Sequence, residues 1–174
     1  MSQRRSRWVI ALVMVVLVAV WWATRGRARD VEVYFIRFDA AHHKGALAAV
    51  RRPAPRGPVE TRLASALGHL LAGPGPSKPG DQPGLVTEIP VGTVLLGVRV
   101  NGGIVTVNLS TTYATGGGST SMLARVWQVV YTATQFPEAP SAQILIDGRR
   151  VEGLGGEGVM IGSPLTRSAA PPSF

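Results

Sequence analysis

The chain has 174 residues and no cysteine, which leaves room for one ordinary domain with an appendage and excludes disulfides, thiolate metal sites, a cysteine nucleophile and a lipidated cysteine. Its formal charge of +8 is unevenly spread: residues 1–29 carry six arginines and no acid, and the remainder carries 12 basic against 10 acidic residues, or +2. So nearly neutral a body argues against nucleic acid as a partner, because phosphate binding needs a concentrated positive face.

Residues 1–7 form a short basic tail, and from Trp8 to Thr24 the text is uncharged, WVIALVMVVLVAVWWAT. A helix of about 17 residues at roughly 1.5 Å each reaches about 25 Å, close to a hydrocarbon core of about 30 Å once flanking residues contribute. Trp8 at one end and Trp21-Trp22 at the other suit the two interfaces, and arginines on both sides can snorkel to headgroups. Trp21-Trp22-Ala23-Thr24-Arg25 lacks the alternating small residues of a good cleavage site, so residues 8–24 read as a transmembrane helix or uncleaved signal anchor that engages the lipid bilayer. Residues 25–30 are a linker. Arg4, Arg5 and Arg7 are matched by Arg25, Arg27 and Arg29, so charge bias does not orient the span. A short amino-terminal tail is most simply left in the cytoplasm, which predicts a single-pass protein of the cell membrane with its C-terminal domain extracytoplasmic.

Val31, Val33 and Phe35 alternate with Glu32, Tyr34 and Ile36, the two-residue period of a strand. From Asp39 to Pro58 the prolines predict a loop with one short edge strand. Val59, Leu63, Ala66, Leu67, Leu70 and Leu71 form a helical stripe ended by Gly73-Pro74, and the following GPSKPGDQPG reads as an exposed connection. If Asn101-Gly102 is a two-residue turn, Val100, Val98, Leu96 and Val94 face Gly103, Val105, Val107 and Leu109, all on one face of a hairpin.

A glycine-serine entry at Gly116 then opens a second helix. Met122, Leu123, Val126, Val129, Val130 and Ala133 recur at three- and four-residue steps, leaving Arg125 and Gln128 on the opposite side. Ser119 or Thr120 can cap its first turn, and Pro137 predicts an end near Gln135. Ala142, Ile144 and Ile146 alternate with Gln143 and Leu145 as a final strand, closed by the turn Asp147-Gly148. The order predicts an α+β fold: two amphipathic helices packed on one face of a small mixed or antiparallel sheet, with a strand-helix-strand-strand-helix-strand core, preceded by the N-terminal transmembrane helix.

Reactive constellations are sparse. Gly153 to Gly158 spells GxGxxG, yet VMIGSPLTR follows rather than a phosphate-binding helix, and a glycine-shaped loop is the simpler account. His42-His43 point opposite ways in an extended chain, with only Asp39 and His69 as metal partners. Ser110, Ser119, Ser121 and Ser163 lack a histidine and acid arrangement. Glu138, Asp147, Glu152 and Glu157 follow the second helix and would suit glycan hydrolysis only if the fold gathered them. Tyr113, Trp127, Tyr131 and Phe136 read as core rather than as a base-stacking surface. No residue is assigned as catalytic, cofactor-binding or metal-binding.

Six ordered blocks carry a resemblance: VEVYF at Val31 to Phe35, LLAGP at Leu70 to Pro74, IPVGTVLLGVRVNGGIVTVNLS at Ile89 to Ser110, VVYTATQFP at Val129 to Pro137, ILIDGRRV at Ile144 to Val151, and LGGEG with PLTR near the end. Together they resemble the GerMN domain of sporulation and spore germination proteins over residues 31–167, leaving 168–174 as a tail. The resemblance implies a compact α/β domain similar to ring-building modules of secretion-type assemblies, and a non-enzymatic role at the outer side of a bacterial membrane. The sporulation protein that names the family looks like a lipoprotein with two such domains, whereas this chain has one, no cysteine and an apolar anchor. The resulting expectation is a non-catalytic interaction or assembly module of the cell envelope that joins a protein partner or copies of itself. Peptidoglycan binding or glycan cleavage is the alternative.

Overall fold

The computed structural model describes residues 30–39, 44–75, 84–155, 159–168 and 173–174. The apolar stretch 8–24 lies outside them, as do His42-His43 and Glu157. Among the described residues no helix is long and apolar enough to cross a membrane.

The first strand, β1 (Val31–Asp39), buries Val31, Val33 and Phe35 as its alternation requires. It pairs antiparallel along its whole length with β2 (Lys44–Arg52), from Val31↔Arg52 to Asp39↔Lys44. Thus the expected loop with a short edge strand is corrected to a nine-residue strand, which does lie at a sheet edge. Ala46, Ala48 and Ala49 hide it from sequence reading: alanine is a poor strand former, and pairing with β1 overrides that preference.

Helix α1 (Val59–Leu71) buries Leu63, Ala66, Leu67 and Leu70. It ends where expected, with Gly73 at φ +80° donating its N–H to Leu70 O at 3.1 Å. The two-residue strand β3 (Leu85–Val86) then pairs with Ile36 and Arg37 of β1, giving a three-stranded sheet in the order β2-β1-β3. Two residues are too few to show periodicity.

Strands β4 (Leu95–Asn101) and β5 (Ile104–Leu109) form the anticipated hairpin in a different register. Val100 faces Val105 and Val98 faces Val107, so the turn is Gly102-Gly103, with φ of +56° and +79°, rather than Asn101-Gly102. A turn needing positive φ at both positions costs less on two glycines than on asparagine and glycine. Sliding the turn by one residue shifts partners by two, which keeps Val98 and Val100 beside Val105 and Val107. A bulge between Leu95 and Gly97 then breaks the alternation. Leu95 packs on the core, while Val94 and Leu96, expected inside, are 53% and 49% exposed.

A 3-10 turn at Thr111–Ala114 leads to helix α2 (Ser119–Ala133), whose N-cap is Gly118 with no side-chain cap bond, so neither Ser119 nor Thr120 caps it. Strand β6 (Ser141–Ile146) returns parallel to β5, and Asp147-Gly148 turns the chain with φ of +46° and +75° as anticipated. The short strands β7 (Gly153–Leu154) and β8 (Val159–Met160) pair with each other, and β9 (Leu165–Thr166) joins β6, giving a four-stranded sheet in the order β4-β5-β6-β9. Among the described residues the protein is therefore α+β with two helices, but the single sheet is corrected to two larger ones. Helix α1 touches β1 and β4, and α2 touches β1 and β6, so both helices join the two sheets through one core.

Candidate interaction surfaces

Helix α2 is wrapped on more than one side. Arg125 and Gln128, expected on its outer face, are 2% and 0% exposed. Gln128, Thr132 and Gln135 recur at steps of four and three, a polar stripe laid along the edge of β1 that β3 does not reach. Gln135 accepts from Glu32 N (2.8 Å) and donates to Glu32 O (2.9 Å). Thr132 Oγ1 accepts from Tyr34 N (3.0 Å), and Gln128 donates to Tyr34 O (3.2 Å) while accepting from Glu88 N (3.0 Å). Side chains thus supply the bonds a neighbouring strand would make, and this edge is closed to partners.

Arg125 organises the loop before its own helix. It donates to Tyr113 O (2.8 Å), Thr115 O (2.9 Å), Gly116 O (3.1 Å) and Ser121 Oγ (3.2 Å), and Ser121 donates to Glu88 at 2.6 Å. Burial pulls the guanidinium below its ordinary value, against smaller pulls upward from Tyr113 and Glu88. Gly117, at φ +81°, is required here: a Cβ would lie 2.6 Å from Arg125 Nη2. Nearby, Tyr113 is fully buried with no partner for its hydroxyl among the described residues, and burial pushes its phenol far above the usual tyrosine range. Arg167 lies over the rings of Tyr34 and Tyr131 at 5.0 and 5.2 Å and donates to Thr134 Oγ1 and to Tyr131 O, latching the chain after β9.

Among the described residues the candidate acids Glu138 and Asp147 are not brought together. Glu138 precedes β6 and Asp147 follows it, so roughly 20 Å of strand at about 3.3 Å per residue separates them. The GxGxxG run begins in β7 and leads into β8, not into a helix. His69 Nε2 lies 3.0 Å from Pro53 O, Ser110 Oγ accepts from Val94 N, and Ser163 is exposed. Among the described residues no group of three or more His, Asp or Glu side chains could hold a metal. Tyr113 and Tyr131 are buried, Tyr34 and Tyr131 stack edge to face at 5.4 Å, and Arg62 covers Phe136 at 4.0 Å. Tyr113 and Tyr131 thus lie inside, whereas Trp127 and Phe136 are half-buried and pack against the core.

What the described surface does offer is strand edge. No strand among the described residues pairs with the outer side of β4, and Val91 (99% exposed), Val94 and Leu96 cluster at its start. Sequence reasoning missed this patch because the bulge that turns Val94 and Leu96 outward leaves no signature in their apolar pattern.

At the level of sequence alone, no curated protein matches the chain. Among solved structures, the tandem GerMN domains of the sporulation protein GerM from Bacillus subtilis are similar at TM-score 0.65 and 22% identity, covering 82% of this chain and 47% of that one. The chain thus spans about half the length of that tandem structure. The first GerMN domain of the same protein is similar at TM-score 0.63 and 22% identity, covering 79% and 97%. A putative lipoprotein from Clostridium perfringens is similar at TM-score 0.54 and 23% identity, covering 79% and 87%. At these identities the likeness establishes the fold. The family model described as Germane, sporulation and spore germination, matches residues 32–152, most of the chain, and the protein belongs to that family.

Proposed function

We propose that this protein is a membrane-anchored, extracytoplasmic and non-catalytic interaction module of the bacterial cell envelope, working in the sporulation and germination setting of its family. The observation that carries the reading is the outer edge of β4, which no strand among the described residues pairs, with Val91, Val94 and Leu96 exposed beside it. An open edge flanked by apolar side chains favours strand addition by a protein partner, since backbone bonds supply affinity and the side chains supply apolar area. The uncharged run 8–24, with tryptophan at both ends, supports the anchor, and the dispersal of Glu138 and Asp147 to opposite ends of β6 supports a non-catalytic role.

The chain lacks cysteine, so one introduced thiol is unique. Leu96→Cys in living cells is expected to capture a protein through a short thiol crosslinker. Leu96→Glu is expected to abolish that association while changing stability by less than about 0.5 kcal/mol, as for an ordinary surface site. Retention on cell wall sacculi that is indifferent to Leu96→Glu, with no protein captured, would replace this reading with peptidoglycan binding.

A further inference from the structure

Where β1 begins, the described surface opens into a cleft of about 490 Å³ lined by Asp30, Glu32, Arg51, Arg62, Gln135 and Phe136. Four elements meet there: the start of β1, the end of β2, the first turn of α1 and the residues just after α2. Two of the lining side chains are carboxylates and two are guanidinium groups. Glu32 stands opposite Arg51 in the β1-β2 register, yet its Oε2 accepts from the Tyr34 hydroxyl at 2.8 Å. Arg62 lies over the Phe136 ring at 4.0 Å, and its Nε is buried with no hydrogen-bond partner among the described residues. A buried cationic N–H without an acceptor, beside an open cleft, marks a place where a bound anion completes the bonding. An anion that reaches Arg51 and Arg62 also meets Asp30 and Glu32, so a purely negative ligand is repelled by half of the lining and a purely positive one by the other half. A zwitterion suits both.

We propose that this cleft binds the phosphoethanolamine headgroup of a bilayer phospholipid, its phosphate on Arg51 and Arg62 and its ammonium on Asp30 and Glu32. Guanidinium forks match phosphate oxygens, and a primary ammonium brings three N–H donors to the carboxylates. The Phe136 ring beneath Arg62 sets the plane of one fork before the ligand arrives. Place favours a lipid over a soluble zwitterion. Asp30 itself lines the cleft and is six residues beyond Thr24, at most roughly 20 Å of chain at about 3.3–3.6 Å per residue. The assignment rests on the tethered reading above, which would put the cleft beside the headgroups of the bilayer that residues 8–24 enter.

The full-length chain is reconstituted in vesicles of phosphatidylethanolamine, phosphatidylcholine and phosphatidylglycerol in equal parts, re-extracted in mild detergent, and its retained lipid identified by mass spectrometry. Wild type is expected to retain several-fold more phosphatidylethanolamine than Arg51→Gln or Asp30→Asn. Phosphatidylcholine, whose quaternary ammonium has no N–H for the acids, is expected to be retained equally by all three chains. Asp30 and Arg51 are both exposed, so neither change disturbs the core, and matching circular dichroism spectra verify this. Equal retention of phosphatidylethanolamine by the three chains overturns the proposal, as does a parallel fall in phosphatidylcholine. Flotation of the vesicles before extraction separates the two readings: chains that float without this selectivity refute the cleft alone, and chains that do not float refute the tether and with it the lipid as occupant.

Discussion

At Tyr113 a hydroxyl is buried at a cost, and that cost is measurable. An unpartnered buried donor loses its water bonds without replacement, so Tyr113→Phe is expected to stabilise the full chain in detergent by about 1 kcal/mol near neutral pH. The pH dependence has a definite sign. Burial raises the folded-state pKa of this phenol above the ordinary value of about 10, so the folded chain keeps a proton that the unfolded chain releases. Its contribution is intact below about pH 10 and declines as the pH rises further. Urea denaturation of wild type and Tyr113→Phe at about pH 7 and about pH 11 should show the gap between them widening at the higher pH. An unchanged gap would mean that the phenol reaches solvent. Arg125 shows the limit of reading residues by stripe. Its spacing puts it opposite the apolar positions, yet it is buried, because the loop 113–116 offers carbonyls that only a long cation can reach.

Between elements, the distinctive device is a helix standing in for a strand. The apolar stripe of α2 is legible from spacing alone, and Val126, Val129, Val130 and Ala133 are buried as expected. The polar stripe opposite is equally periodic, but nothing in the sequence tells glutamine facing water from glutamine facing a strand edge. The difference is tested by Gln128→Leu, which fits the space and leaves Tyr34 O and Glu88 N unpaired. A loss of about 3 kcal/mol is expected by urea denaturation, with Glu32 and Tyr34 amides exchanging faster in hydrogen-exchange measurements. A loss below about 0.5 kcal/mol, the range of an ordinary surface change, would place Gln128 in solvent instead. Strands follow the same logic. β5 and β6 are legible because valine and isoleucine alternate, whereas β2 is alanine-rich and β3 is two residues long, so both exist only through their pairing with β1.

For the whole molecule, the proposed tether at residues 8–24 would decide which side of a membrane these edges face. A reporter active only outside the cytoplasm, fused after Phe174, is expected to be active, with a cytoplasmic reporter at the same place inactive. The reverse pattern would put the domain in the cytosol and remove the envelope reading. The α+β class, both helices, the β4-β5 hairpin and the stop at Gly73 were determined by local chemistry: hydrophobic period, turn glycines and prolines act within a few residues of one another. Two sheets instead of one, the outward turn of Val94 and Leu96, the sealing of β1 by Gln128, Thr132 and Gln135, and the seat of Phe174 on β2 were decided by tertiary structure. Each depends on a backbone group or volume supplied by a residue far along the chain, and a pattern read along the chain carries no record of what will stand opposite it.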